Sequence, residues 1–161
     1  MNDCWTEPEG RDDIERRFLV VLRARISPMH VDVWIDRPQL ITSVDVDDQF
    51  HAVALRTLRV EFDGVGIRGG NDPTHQLVGE LDPTDTDWFE RTDCGTPEAC
   101  AEVSAAFYKE QVEQPIDREE WDVLGAVTCR WTLVDVGRGL ATAGNIPPRS
   151  PDRVRRVHPG S

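Results

Sequence analysis

Five residues in the first third of the chain have types and spacing that could do chemistry together: His30, Asp32, Trp34, Asp45 and Asp47. Val31, Val33 and Ile35 alternate with His30, Asp32, Trp34 and Asp36, and Leu40, Thr42, Val44 and Val46 alternate with Ile41, Ser43, Asp45 and Asp47. Each run therefore reads as a strand with one apolar face. Arg37-Pro38 between them makes a tight turn over Asp36–Gln39, which sets Ile35 opposite Leu40, Val33 opposite Thr42 and Val31 opposite Val44. On the other face His30 then falls opposite Asp45, Asp32 opposite Ser43 and Trp34 opposite Ile41. A histidine beside a carboxylate is the raw material of general acid–base catalysis, because the carboxylate orients the ring and favours its charged form. Carboxylates gathered around a large aromatic side chain are equally the raw material of a binding surface.

These residues support two readings. In the first, the chain is a small acidic, non-enzymatic protein that binds a basic surface of a macromolecular partner, of inhibitor, immunity or accessory/assembly type. Asp32, Asp45 and Asp47 would supply the charge and Trp34 the anchor. In the second, it is a small enzyme or ligand-binding protein with a cavity between sheet and helix that uses His30, Asp32 and Asp45. A plain exposed polar sheet face accounts for the same residues without any function.

No other motif adds chemistry. Asp45-Val46-Asp47-Asp48 and Asp82-Pro83-Thr84-Asp85-Thr86-Asp87 are rich in oxygen ligands, but both lack the glycine and the closing glutamate of an EF-hand loop. His51, His75 and His158 have no partner at metal-ligand spacing, and Gly64-Val65-Gly66 lacks the rest of a phosphate-binding loop. No metal or cofactor is expected. Pro148-Arg149-Ser150-Pro151-Asp152-Arg153 fits a short proline-directed peptide pattern of a kind that arises by chance in Pro/Arg-rich segments.

The 161 residues carry 30 acids against 18 bases, a net charge of −12. That balance argues against direct nucleic-acid binding by the body of the protein and against anionic membranes. The charge is unevenly placed: residues 137–161 hold five arginines against Asp152, a net of +4, which leaves −16 on residues 1–136. The longest apolar run, Phe18 to Leu22, is far too short to span a bilayer, and the N-terminus has no basic segment followed by an apolar one. The expected location is therefore the cytoplasm, where Cys4, Cys94, Cys100 and Cys129 would be thiols; a Cys94–Cys100 disulfide is expected only in an oxidising compartment.

The elements that must position these residues read as α+β with a mainly antiparallel sheet of about six to seven strands. Phe18, Val20, Leu22, Ala24 and Ile26 alternate like a strand, followed by the hairpin, a long run over Ala52–Phe62, and short strands at Val65–Arg68 and Leu77–Leu81. Asp82-Pro83 opens a short helix through Phe89. Thr96-Pro97 opens the main helix, about residues 97–113, whose stripe of Ala99, Cys100, Val103, Ala106 and Phe107 packs on one face of the sheet. Asp117 and Glu120 match a capping box, so a helical turn is expected there, followed by a last strand through Leu133. Residues 1–136 form a single domain with an irregular segment over 1–15. Residues 137–161, with four prolines and no periodicity, form a flexible tail that could at most fold back on the acidic body.

Overall fold

The computed structural model describes residues 5–6, 12–77 and 79–159. The fold is α+β and mainly antiparallel, as expected, but it contains two sheets and two helices. The chain divides into two compact units: Met1–Val46 with Arg56–Gln111, and Asp47–Leu55 with Val112–Ser161. No helix among the described residues is long and apolar enough to cross a membrane.

The first unit begins with the two-residue strand β1 (Trp5–Thr6), parallel to β2 (Val31–Asp36). The antiparallel strands β3 (Gln39–Asp48), β4 (Val53–Phe62), β5 (Ile67–Asp72) and β6 (Phe89–Arg91) follow β2 in order across the sheet. Helix α1 is Asp13–Ile26 and helix α2 is Pro97–Val112. Alternate residues of β4 meet both helices: Phe62 stacks on Phe18 of α1 with ring centroids 4.4 Å apart, and Arg56 bonds Gln111 of α2. Tyr108 of α2 donates its hydroxyl to the carbonyl of Thr42 at 2.7 Å, fixing the helix over β3. Burial raises the Tyr108 pKa and outweighs the side-chain hydrogen bond with the Thr42 hydroxyl, which lowers it.

Helix α1 corrects the expected first strand, and its first turn takes up the last three residues of the 1–15 segment. Asp12 caps it: its carboxylate accepts from the Glu15 N–H at 2.8 Å, while Glu15 accepts from the Asp12 N–H at 3.2 Å, a complete capping box. Phe18, Leu19, Leu22 and Ile26 are buried along one side, whereas Val20, which a strand would have buried, is 65% exposed. Helical spacing therefore wins over alternation.

Main helix α2 lies where expected. Thr96 accepts from the Ala99 N–H at 3.1 Å, and Pro115 lies just beyond the last turn. Its buried stripe is rotated relative to the expected one: Cys100, Ala101, Ser104, Ala105, Phe107, Tyr108 and Gln111 face inward. Cys94 and Cys100 are disulfide-bonded with Cα atoms 5.2 Å apart, because a turn at Asp93–Gly95 lays Cys94 against the first turn of α2. The expectation of free thiols is corrected there. Cys129 is a buried free thiol. The segment expected as a short helix over 82–89 is a pair of turns, with Asp85 N bonded to Asp82 O and Trp88 N to Asp85 O, after which Phe89 enters β6. Leu77, Gly79, Glu80 and Leu81, in the segment expected as a short strand, are not in a strand.

The second unit is a four-stranded antiparallel sheet in the order β10-β7-β8-β9, with β7 at Ile116–Val123, β8 at Ala126–Leu133, β9 at Arg138–Ala143 and β10 at Arg153–His158. The expected helical turn at Asp117–Glu120 is part of β7. Cross-strand pairing from Ile116↔Leu133 to Val123↔Ala126 outweighs the local cap, and the hairpin closes through Leu124 and Gly125, both at positive φ (50° and 83°).

The expected flexible tail is corrected as well: it supplies β9 and β10. Its arginines pair with the acids of β7. Arg153 bonds Glu120 at 2.9 Å and Asp122 at 3.0 Å, and Arg156 bonds Asp117 at 2.6 Å. Val157 is buried, and the Trp121 indole N–H donates to the Arg149 carbonyl at 2.9 Å. Removing residues 137–161 would strip this sheet to the β7–β8 hairpin, which is marginal in water. Truncation after Val136 should therefore abolish the near-UV circular dichroism of Trp121 and Trp131 and lower the melting temperature by many degrees. An unchanged melt would show that β9 and β10 contribute nothing.

Candidate functional site

The β2–β3 hairpin has the register expected from its turn: Asp36↔Gln39, Ile35↔Leu40, Trp34↔Ile41, Val33↔Thr42 and Asp32↔Ser43. Val31 and Val44 are both buried. Asp32, Trp34 and Asp45 thus project on one face, opposite the face that carries Thr42 under Tyr108. Trp34 is half-buried, and Asp45 is exposed. Asp47 lies two residues beyond Asp45 on β3, within the second unit, so the first unit's share of the expected face is Asp32, Trp34 and Asp45.

The acid–base pair differs from the one expected. His30 precedes β2 and sets its Nε2 3.2 Å from Asp32 Oδ1, with both side chains well exposed. Asp45 accepts a 2.6 Å hydrogen bond from the Thr57 hydroxyl. Since that hydroxyl gives its proton to Asp45, the 3.0 Å contact to His75 Nδ1 places the donor on the imidazole. The carboxylate–hydroxyl–imidazole chain Asp45–Thr57–His75 joins β3, β4 and the loop after β5. His75 carries positive φ (55°) in that loop. The sequence shows no spacing signal for it, because the three residues meet only through the sheet.

Beside it, the same face of β4 holds a buried ionic cluster. Arg59 pairs with Glu61, lies 3.4 Å from Asp72, and donates to the Gly79 carbonyl at 2.7 Å; Glu61 also receives Arg68. Burial pushes the Asp72 carboxyl up, but the Thr74 hydroxyl and N–H and the Arg59 charge outweigh it and hold it below its usual value. A polar cleft of about 170 Å³ opens next to this cluster, lined by Glu61, Asp63, Arg68 and Glu90 among others. Two arginines neutralise two acids here, so the cluster is a closed structural network and its charges are spent. The signal for it is present in the sequence: Arg59 and Glu61 interrupt the apolar run of Leu58, Val60 and Phe62.

The second unit has its own polar centre. Asp48 is fully buried and accepts from the Trp131 indole at 2.7 Å, from His51 Nδ1 at 2.7 Å and from the Phe50 N–H at 3.0 Å. Arg118 can only donate, so its contact with His51 Nε2 fixes the ring as an acceptor there and a donor at Nδ1. Arg118 also lies over the Trp131 ring, 5.4 Å from its centroid, and pairs with Glu120 at 2.8 Å. Both ring nitrogens of His51 and both terminal nitrogens of Arg118, whose second one donates to Cys129 Sγ at 3.6 Å, are thereby engaged in holding the hairpin tip to the sheet. No group of three or more histidines, cysteines, aspartates or glutamates among the described residues could hold a metal ion.

No protein-family model, curated protein or solved structure matches this chain.

Burial raises the Asp48 pKa, but the bonds from Trp131, His51 and Phe50 outweigh it and leave it below the usual carboxylate range. A depressed folded-state pKa contributes stability above the unfolded value near 4, which is lost as pH falls through the folded one. Asp48→Asn should therefore cost about 1–3 kcal/mol near neutral pH, through the weakened acceptor for Trp131 and His51. It should also flatten the acid side of the stability profile below about pH 4. Thermal melts from pH 2 to 7 check this; parallel profiles for the two proteins would contradict it.

Proposed function

We propose that this chain is a small acidic, non-enzymatic interaction protein that binds a basic surface of a macromolecular partner, in the manner of an inhibitor, an immunity protein or an assembly accessory. The observation that carries the reading is Trp34. Its indole is half-buried on the same hairpin face as Asp32 and Asp45, opposite the face that receives α2. A large aromatic flanked by carboxylates on a sheet face suits an anchor that desolvates on binding while the charges steer the encounter. The net charge of −12 supports the same reading, because self-repulsion of that size opposes the compact state and a basic partner relieves it. Acid–base chemistry at His30, Asp32 and Asp45 has less support: Asp45 is bonded to Thr57, and His30 and Asp32 form an exposed pair.

Affinity capture from the native host with immobilised protein, read by mass spectrometry, tests this. Trp34→Ala should keep the fold and weaken capture by at least about thirtyfold, the scale of an interface hot spot. Capture by the parent protein should fall steeply between low and physiological salt, mainly through the association rate. Unfolding of Trp34→Ala would make Trp34 a core residue, and salt-independent capture would remove the acidic face from the interface.

A further inference from the structure

Cys94 and Cys100 close a disulfide across the entry to α2, and the two sulfurs stand in different surroundings. Cys100 is fully buried in the first turn of the helix. Cys94 is half-buried, just ahead of Gly95, whose positive φ of 80° turns the chain toward Thr96. An incoming thiol therefore meets the bond from the Cys94 side.

Other contacts hold the entry to α2 beside the disulfide. Thr96 caps the helix, Glu98 receives Arg17 of α1 on both carboxylate oxygens at 2.7 and 2.9 Å, and the Cys94 N–H donates to the Val65 carbonyl at 3.1 Å. A disulfide between residues six apart also constrains the unfolded chain less than one that closes a long loop. The same Val65 carbonyl lies 3.5 Å from Cys100 Sγ, so a thiol freed there has its acceptor in place and leaves no buried donor unpaired. The helix start is thus arranged to outlast the opening of the bond.

We propose that the Cys94–Cys100 pair is a reversible thiol–disulfide exchange site that takes a low-molecular-weight thiol at Cys94. The incoming thiolate bonds to Cys94 Sγ, the Sγ–Sγ bond breaks, and its electron pair leaves on Cys100. Burial disfavours a thiolate, so Cys100 takes up a proton and, as a thiol, donates to the Val65 carbonyl. The product is a mixed disulfide on Cys94. A second small thiol then attacks the small thiol's sulfur in that adduct and frees Cys94, so two small thiols are oxidised to their disulfide and the protein pair gains the two electrons. Attack by Cys100 on Cys94 instead expels the small thiol and restores the internal bond. The buried cysteine is therefore both the leaving group and the resolving group. This site uses none of the Trp34 face and does not rest on the function proposed there.

The test follows the full chain in millimolar glutathione, with Cys4→Ala in every protein so that Cys94, Cys100 and Cys129 are the cysteines present. Exchange is quenched with acid, free thiols are alkylated, and adducts are located by peptide mass mapping. Reduced glutathione should open the native pair and leave its adduct on Cys94 and none on Cys100. The reduced protein should keep its near-UV circular dichroism, and oxidised glutathione should then restore the internal bond. Two variants separate the sulfurs. Cys100→Ser, whose hydroxyl can donate to the Val65 carbonyl, should accumulate the Cys94 adduct in oxidised glutathione, because nothing resolves it. Cys94→Ser should react at Cys100 at least about tenfold more slowly than Cys100→Ser reacts at Cys94. The parent protein decides the matter alone where a variant fails to fold. Three results would overturn the proposal: a pair that opens only in denaturant, an adduct that forms on Cys100 as readily as on Cys94, or loss of the near-UV spectrum when the pair is reduced.

Discussion

Strand β4 is buried on both faces, and three of its side chains are charged. From Leu55 to Phe62 every residue is buried, including Arg56, Arg59 and Glu61. An unpaired buried charge costs several kcal/mol, so each must meet its partner as the chain closes. Arg56 on one face needs Asp87 and Gln111, which requires both the segment before β6 and the end of α2 to be in place. Arg59 and Glu61 on the other face need Asp72, Arg68 and the Gly79 carbonyl, which requires the loop after β5 to lie across the sheet. Gly70 accepts that loop: a Cβ there would already touch Leu81 and Trp88. The helices cover one face of the sheet and an irregular loop the other, and the paired charges of β4 are what tie both covers down.

The same economy governs the second unit by a different route. There the acidic strand β7 is flanked by the arginine-rich end of the chain, so the uneven charge visible in the sequence is resolved within the fold. Arg149 bonds Asp152, which also accepts from the Asp122 N–H, and together they hold the Asp152 carboxyl down at about 2. Exposed pairs of this kind add little stability singly, but they set which strand lies beside which. Only charges left over from such pairing are available to a partner.

The legible parts of the sequence were those where a short-range rule acted alone. The β2–β3 register followed from a tight turn and clean alternation, and α2 from Thr96-Pro97 and a long apolar stripe. Helix α1 was illegible by periodicity because Phe18-Leu19-Val20-Val21-Leu22 satisfies both periods at once. The capping pair Asp12 and Glu15 was the deciding signal. The identical pattern at Asp117 and Glu120 points the wrong way, since there the residues pair with β8 instead of starting a helix. Composition misled at the C-terminus: prolines and arginines read as a tail until the acids of β7 supply partners. The Asp45–Thr57–His75 chain, and the contact of Arg118 with the local Asp48–His51 pair, join residues that only tertiary structure brings together, and no linear spacing could reveal them.

Both edges of the first sheet are short, two residues in β1 and three in β6. Short edges protect a sheet from pairing with copies of itself, since a long open ladder recruits strands without discrimination. A three-residue edge offers too few main-chain bonds to hold a partner alone.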